Sequence, residues 1–124
     1  MSLETPLHKA QGLGSAHSGV GHFKQQRVTA IALVPLSIWF GISALGLVGA
    51  NEVSALIFLS NPLNALLMGA FVLIALYHMA LGLQEVIVDY VSQEGPKLIL
   101  VLLNRGFALA VGAACVFALL RIAL

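Results

Sequence analysis

Three long apolar runs set the first bound on this chain. Positions 28–50, 63–90 and 98–120 each reach the about 20 mostly apolar residues that a helix needs to cross a bilayer core about 30 Å thick. Composition excludes the water-soluble alternative: of 124 residues, 60% are hydrophobic and 9% charged, against about 45–50% and about 25% in an ordinary soluble domain. With no water to satisfy backbone N–H and C=O groups, each run must be a continuous helix. Connections of about ten residues or fewer make neighbouring helices antiparallel. The expected fold is an all-α membrane protein of three transmembrane helices, with an arm over 1–27 and the anchor over 28–124.

Local punctuation supports these limits. Asn51 and Glu52 close the first run, Ser60-Asn61-Pro62 supplies a capping residue and then a first-turn proline for the second, and Gly95-Pro96 separates the second from the third. Pro35 is expected to bend the first helix. Gly106, Ala108, Ala110, Gly112, Ala113 and Ala114 form small-residue ridges on the third, suited to close helix approach within this chain or against a partner. Residues 2–26, rich in Gly, Ser and His and without periodicity, read as an irregular arm.

Six Lys and Arg against five Asp and Glu leave a net charge of +1, which offers no basic surface for nucleic acid. The placement of those cations says more than their sum. Lys9, Lys24 and Arg27 precede the first span, the first loop has none, Lys97 lies in the second loop and Arg121 near the C-terminus. Cytoplasmic segments carry the Lys/Arg excess, so the N-terminus and second loop are expected inside. Arg105, near the inner end of the third span, could snorkel to the interface. The single cysteine, Cys115, lies in an apolar stretch and is expected to pack as a small hydrophobe. The first run is too long for a signal-peptide core and the leader lacks transit-peptide character, so the first helix is expected to be retained, in a bacterial inner membrane rather than a mitochondrial one.

The second span carries the chemistry: His78, Gln84, Glu85 and Asp89 interrupt lipid-compatible sequence. At about 100° per residue, Gly82 falls about 40° from His78, while Glu85 and Asp89 fall within about 20° of it. These four share one face, and ionisable groups at such depth should turn into a bundle or a water-filled cavity. His78 lies about 16 Å deeper than Asp89 at 1.5 Å per residue, near mid-membrane. A histidine there can be a haem ligand, a proton relay or a neutral interhelical hydrogen-bonding group. Gly82, one turn away, favours haem, because a flat macrocycle needs a bare helix face beside its ligand. No other histidine lies in a span, since His8, His17 and His22 are in the arm. A second axial histidine would have to come from another chain. Asp89-Tyr90 can donate to and relay protons for a quinone carbonyl, or be an interfacial tyrosine beside a solvated acid. Glu85 could pair with Lys97 or Arg105, or serve a proton path.

Taken in order, these features resemble a known family, the hydrophobic membrane-anchor or small cytochrome b subunit of succinate dehydrogenase. The residues that carry the resemblance are Gly21-His22-Phe23-Lys24-Gln25-Gln26-Arg27-Val28-Thr29-Ala30-Ile31-Ala32-Leu33, then His78 with Gly82, and then Asp89-Tyr90. The preceding Gly12-Leu13-Gly14-Ser15-Ala16 looks most like the alphaproteobacterial branch. The resemblance implies half of a heterodimeric anchor bundle with no succinate site of its own. Its partners would be a second hydrophobic cytochrome b subunit, an iron–sulfur subunit and a flavoprotein subunit. It further implies His78 as an axial ligand of the iron of a shared haem b, and ubiquinone bound near Tyr90 and Asp89. Arg27 would lie at a haem propionate or the quinone site, and His22 at a propionate. Three alternatives remain open: the anchor of a fumarate reductase, a small proton-translocating subunit using His78, Glu85 and Asp89, or a purely structural anchor whose polar stripe is interhelical glue.

Overall fold

The computed structural model describes residues 5–7 and 17–124. Among them the chain forms four helices, α1 (His17–Gly46), α2 (Glu52–Ser60), α3 (Pro62–Tyr90) and α4 (Glu94–Ala123). Three of these are long and apolar enough to cross a membrane, over Gly19–Gly46, Pro62–Tyr90 and Glu94–Ala123.

Each boundary has a local cause, and several differ from expectation. Helix α1 begins at His17, so the segment 17–27 is helical where an irregular arm was expected; the earlier part of the arm, with His8 and Lys9, lies outside the described residues. The physical reason is the packing of His22, Gln26 and Thr29 against α3, described below, which stabilises turns with little apolar periodicity of their own. The helix runs on through Pro35 and ends at Gly46 rather than at position 50. There the ladder tightens to i→i+3 bonds, Val48 N–H to Leu45 C=O and Ala50 N–H to Leu47 C=O. Gly49, at φ +78°, then reverses the chain in a conformation that a side chain would strain.

The segment after it is not a plain loop. Asn51 caps α2, its Oδ1 accepting from Ser54 N–H at 2.9 Å, and Glu52 favours the positive end of the helix dipole. At nine residues α2 is far too short to span. It rests on its neighbours instead, with Phe58 stacked on Trp39 of α1 at 6.2 Å and the Phe58 carbonyl accepting from Asn64 Nδ2 of α3 at 3.1 Å. Asn61 caps α3 through Leu63 N–H at 2.9 Å, with Pro62 in the first turn as expected. Gly95-Pro96 does not separate the last two spans: α4 already begins at Glu94, which leaves Val91, Ser92 and Gln93 as the connection. Proline is tolerated in that first turn because its missing N–H would have had no intrahelical partner.

Helix α3 is the axis of the fold. Helix α1 lies antiparallel along one face, where Phe40 stacks on Phe71 at 4.6 Å between ring centroids. Helix α4 lies antiparallel along another, where Gly112 is buried and a Cβ there would stand 3.3 Å from Leu73 Cδ2 and 3.6 Å from Leu76 Cδ1. One member of the small-residue ridge thus sets the α3–α4 approach; Gly106 meets no neighbour within 4 Å, and Ala110, Ala113 and Ala114 face outward. Among the described residues α1 and α4 do not pack on each other. The bundle is therefore open along one side of α3. Among large hydrophobic side chains only Leu81 and Ile87 are buried within the described residues, so the apolar remainder faces lipid or another chain.

Candidate functional site

The contact between α1 and α3 is built on polar side chains. Thr29 is buried, and its Oγ1 lies 2.8 Å from the Gln25 carbonyl, 3.0 Å from the Gln26 carbonyl and 2.8 Å from His78 Nδ1. A hydroxyl has one hydrogen and two lone pairs. With that hydrogen on a carbonyl of its own preceding turn, a common arrangement for threonine in a helix, the hydroxyl accepts from Nδ1–H; with it on Nδ1, the ring hydrogen stays on Nε2. Nε2 has no hydrogen-bond partner among the described residues, and the side chain is half-buried.

One and two turns nearer the α1 N-terminus, two more contacts lock the same pair of helices. His22 Nε2 lies 3.1 Å from Glu85 Oε1 and 3.3 Å from the Leu81 carbonyl. Both are acceptors, so this nitrogen carries a hydrogen. The expected partners of Glu85 are engaged elsewhere: Lys97 Nζ meets Glu94 Oε1 at 3.1 Å, and Arg105 Nη2 donates to Gln84 Oε1 at 3.1 Å. Gly82 faces Gln26, whose Nε2 would lie 3.3 Å from an added Cβ. The bare face beside His78 is thus occupied by α1 of the same chain, and the glycine serves helix approach there. Gln26 Oε1 is buried without a partner.

Among the described residues the side chains of the stripe do not bond to one another. His78 and Glu85 each bond across to α1. Asp89 and Tyr90 stand at the C-terminal end of α3, both exposed, Tyr90 at 84%, and neither side chain has a hydrogen bond or ion pair among the described residues. Arg27 is also exposed, its guanidinium 5.1 Å from the centroid of the Phe23 ring one turn earlier. The structure thus joins His78 to Thr29 and His22 to Glu85, while Arg27, Asp89 and Tyr90 are left open to a neighbour.

Three polar contacts were not expected from the sequence. Thr29 is the first. Asn104 is the second: it is buried and donates from Nδ2 to the Ala80 carbonyl at 2.8 Å, with Oδ1 unpaired. The third is Gln84 with Arg105. Gln84 and Tyr77 lie about 100–120° around α3 from His78, in a groove of about 830 Å³ that also takes in His22, Gln25 and Arg105; His78 is not part of its lining.

The folded chain is thus a polytopic helical membrane protein with a histidine held near the middle of its second span and a polar end open to a neighbour. The model of the succinate dehydrogenase/fumarate reductase transmembrane subunit family matches residues 1–120. The succinate dehydrogenase hydrophobic membrane anchor subunit of Paracoccus denitrificans is 35% identical over 124 residues, covering 100% of this chain and 95% of that protein. The same subunit of Rickettsia conorii is 34% identical over 119 residues, covering 94% of each, and that of Rickettsia bellii is 41% identical over 85 residues, covering 68% and 67%. No solved structure matches. The chain belongs to the succinate dehydrogenase/fumarate reductase transmembrane subunit family, as the resemblance implied, and is a multi-pass protein of the bacterial inner membrane.

Thr29→Val removes the hydroxyl at nearly constant volume and is expected to alter the tautomer balance of His78, read as a change in the ring ¹⁵N shifts of the labelled chain. The cost in stability should be modest, about 0.6 kcal/mol for an average interhelical hydrogen bond in a membrane. Thr29→Ser should behave as wild type. Unchanged ring shifts in Thr29→Val would show that the hydroxyl does not set the tautomer.

Proposed function

We propose that this chain is the hydrophobic membrane-anchor subunit of a succinate dehydrogenase, helping to bind haem b and ubiquinone while holding the catalytic subunits at the membrane. The observation that carries the reading is the Thr29–His78 bond. Histidines that ligate metals nearly always give their other ring hydrogen to a fixed acceptor, which orients the ring and raises the basicity of the ligating nitrogen. With the Thr29 hydrogen on its own turn, His78 would be held in that way, and Nε2 has no partner among the described residues. His78 is the one histidine within the three apolar runs, so this chain would give the iron one ligand. The second would come from a second hydrophobic cytochrome b subunit seated on the open face of the bundle.

When bound, haem b supplies a one-electron store whose potential follows its axial ligands and burial. The chain's own residues do the rest. His78 would hold the group near the middle of α3, and Arg27 would offer a guanidinium to a propionate or to the border of the quinone site. For His22, a propionate contact means exchanging Glu85 for the incoming carboxylate at Nε2. At the end of α3 the Tyr90 hydroxyl donates to a ubiquinone carbonyl oxygen, and Asp89 beside it takes protons from interfacial water and passes them on. Their exposure supports a pocket completed by another chain, the iron–sulfur subunit, which carries electrons from the flavoprotein subunit that oxidises succinate. Not being the catalyst for succinate, the anchor contributes position and electrostatics. A fumarate reductase would use the same scaffold in the opposite direction, but the relatives named above are succinate dehydrogenase anchors.

The distribution of Lys and Arg supports a cytoplasmic N-terminus, on the side where those protons and subunits would be found. A reporter active only in the cytoplasm, fused ahead of Met1, should be active; activity only from a periplasmic reporter would reverse the orientation. His78→Ala should remove or shift the reduced b-type haem band of the purified complex, and an unaltered band would rule His78 out as the ligand. Tyr90→Phe should slow quinone reduction up to about tenfold, the worth of one hydrogen bond. Succinate oxidation by an artificial dye should be unaffected, and equal loss of both activities would count against Tyr90 at the quinone.

A further inference from the structure

We propose that Glu85 and Gln26 hold, within this chain, the places that haem b needs on His22 and beside Gly82, and that both give way when it binds. The inference rests on the reading of His78 as a haem ligand. It concerns two side chains to which that reading gives no part: an internal carboxylate that competes with a propionate, and an internal amide that competes with the macrocycle.

Gln26 is poorly suited to a permanent contact. Its Nε2 would stand 3.3 Å from a Cβ at Gly82, so the amide lies over the bare face one turn from His78. Its Oε1 is buried with no partner among the described residues. Burying an acceptor without a donor is costly, and an apolar side chain would cover the glycine without that cost. An amide that turns out to the interface recovers its hydrogen bond from water, so displacing Gln26 is favoured by the same oxygen that its present place leaves unpaired.

The other pair has one fixed member and one mobile one. His22 Nε2 donates to Glu85 Oε1 at 3.1 Å and to the Leu81 carbonyl at 3.3 Å, and the backbone contact keeps the ring in place. The His22 side chain is 22% exposed and that of Glu85 52%, so the carboxylate is the member that can swing into water. A propionate brings the same functional group. One N–H···O bond to Glu85 breaks, one to the propionate forms, and the imidazole keeps a carboxylate partner throughout. The surrounding charges favour the arrival of a second carboxylate: Lys24 and Arg27 on α1 are exposed and form no ion pair among the described residues, and Arg105 on α4 is bound to the neutral amide of Gln84. Asp89, one turn along α3 from Glu85, is the other acid on that face. Until the exchange, Glu85 keeps the first turns of α1 docked on α3. If Glu85 were a permanent tie instead, its removal would loosen the site and weaken haem binding; as a competitor, its removal strengthens binding. The two roles differ in sign.

The test uses the complex purified, with every subunit that stays bound to this chain, from cells unable to make haem. Iron protoporphyrin IX or its dimethyl ester is added, and binding is followed by the b-type absorption band. Glu85→Gln should bind iron protoporphyrin IX up to about fivefold more tightly than wild type, the worth of a partly exposed ion pair. The ester, whose carboxylates are blocked, should bind wild type and Glu85→Gln alike. Gln26→Ala should tighten the binding of both. A second measurement reads the docking directly: before the cofactor is added, backbone amides of residues 18–26 should exchange faster in Glu85→Gln than in wild type, and saturation with iron protoporphyrin IX should abolish the difference. Weaker or unchanged binding by Glu85→Gln, an equal gain with the ester, or a difference in exchange that survives saturation would overturn the proposal and leave Glu85 a permanent tie. Binding that His78→Ala leaves unaltered would instead remove the reading on which the proposal rests.

Discussion

The Thr29 hydroxyl ties together more of this structure than any other single atom. Two backbone carbonyls of its own turn and one imidazole nitrogen lie within 3.0 Å of an oxygen that has one hydrogen to give. In water such an arrangement would be one of many, because solvent could take over any of the three partners. In hydrocarbon no such substitute exists, and an unsatisfied polar group costs several kcal/mol. The hydroxyl therefore bonds within its own helix and across to the imidazole, and so orients the ring. The contact within the helix depends on α1 being helical as far back as residues 25 and 26, since the carbonyls near the hydroxyl belong to that turn.

The same logic orders the rest of the α1–α3 seam. His22 with Glu85 and Thr29 with His78 are separated by seven residues on each helix, 29 − 22 and 85 − 78, so both pairs fall on the line of contact of two antiparallel helices two turns apart. Gly82 lies between them, where the backbone is bare enough for the Gln26 side chain to enter. Aromatic stacking of Phe40 on Phe71 continues the seam toward the other end without polar groups. The α3–α4 contact is of another kind, a small residue under leucines with the Asn104 amide as its one buried polar tie. A single chain that buries so few large side chains has two outer helices positioned on a third and little else to hold it. Its stability must come in large part from lipid and from the neighbours that its relatives, as anchor subunits, would have.

Much of this was legible in sequence, for reasons that can be named. The three spans follow from length and hydropathy, because the bilayer imposes a fixed thickness. Asn61-Pro62 was readable as a helix start because capping is local chemistry. What was not legible depended on contacts between distant segments. The helical turns before residue 28 have no apolar period, and only docking on α3 accounts for them. Helix α2 was hidden by its brevity, since a nine-residue apolar run between two spans looks like the tail of either. Thr29 is the instructive case. It lies twelve residues after His17, 29 − 17, and His78 lies twelve before Tyr90, 90 − 78, so antiparallel helices that start and stop there bring the two to the same depth. The signal was present but could be used only once the true start of α1 was known. Gly82 has a use that sequence did not show: the bare position beside a candidate ligand, read as room for a macrocycle, is also where the chain's own Gln26 approaches.

Polarity along the bundle is asymmetric, and the asymmetry bears on how such a chain can work. The half that contains the α1 N-terminus holds His22, Gln25, Gln26, Gln84, Glu85, Asn104 and Arg105, with Asp89 and Tyr90 at its edge. The other half is closed by Phe40 on Phe71 and Trp39 on Phe58, with Arg121 at the far end of α4. His78 sits at the boundary between the two. It has polar, hydrogen-bonding neighbours on one side and a stacked aromatic layer on the other. In the function proposed above, protons and counter-charge would reach a bound group from one face of the membrane, and no net charge would cross the bilayer. That one-sidedness follows from where a few polar side chains fall along two antiparallel helices.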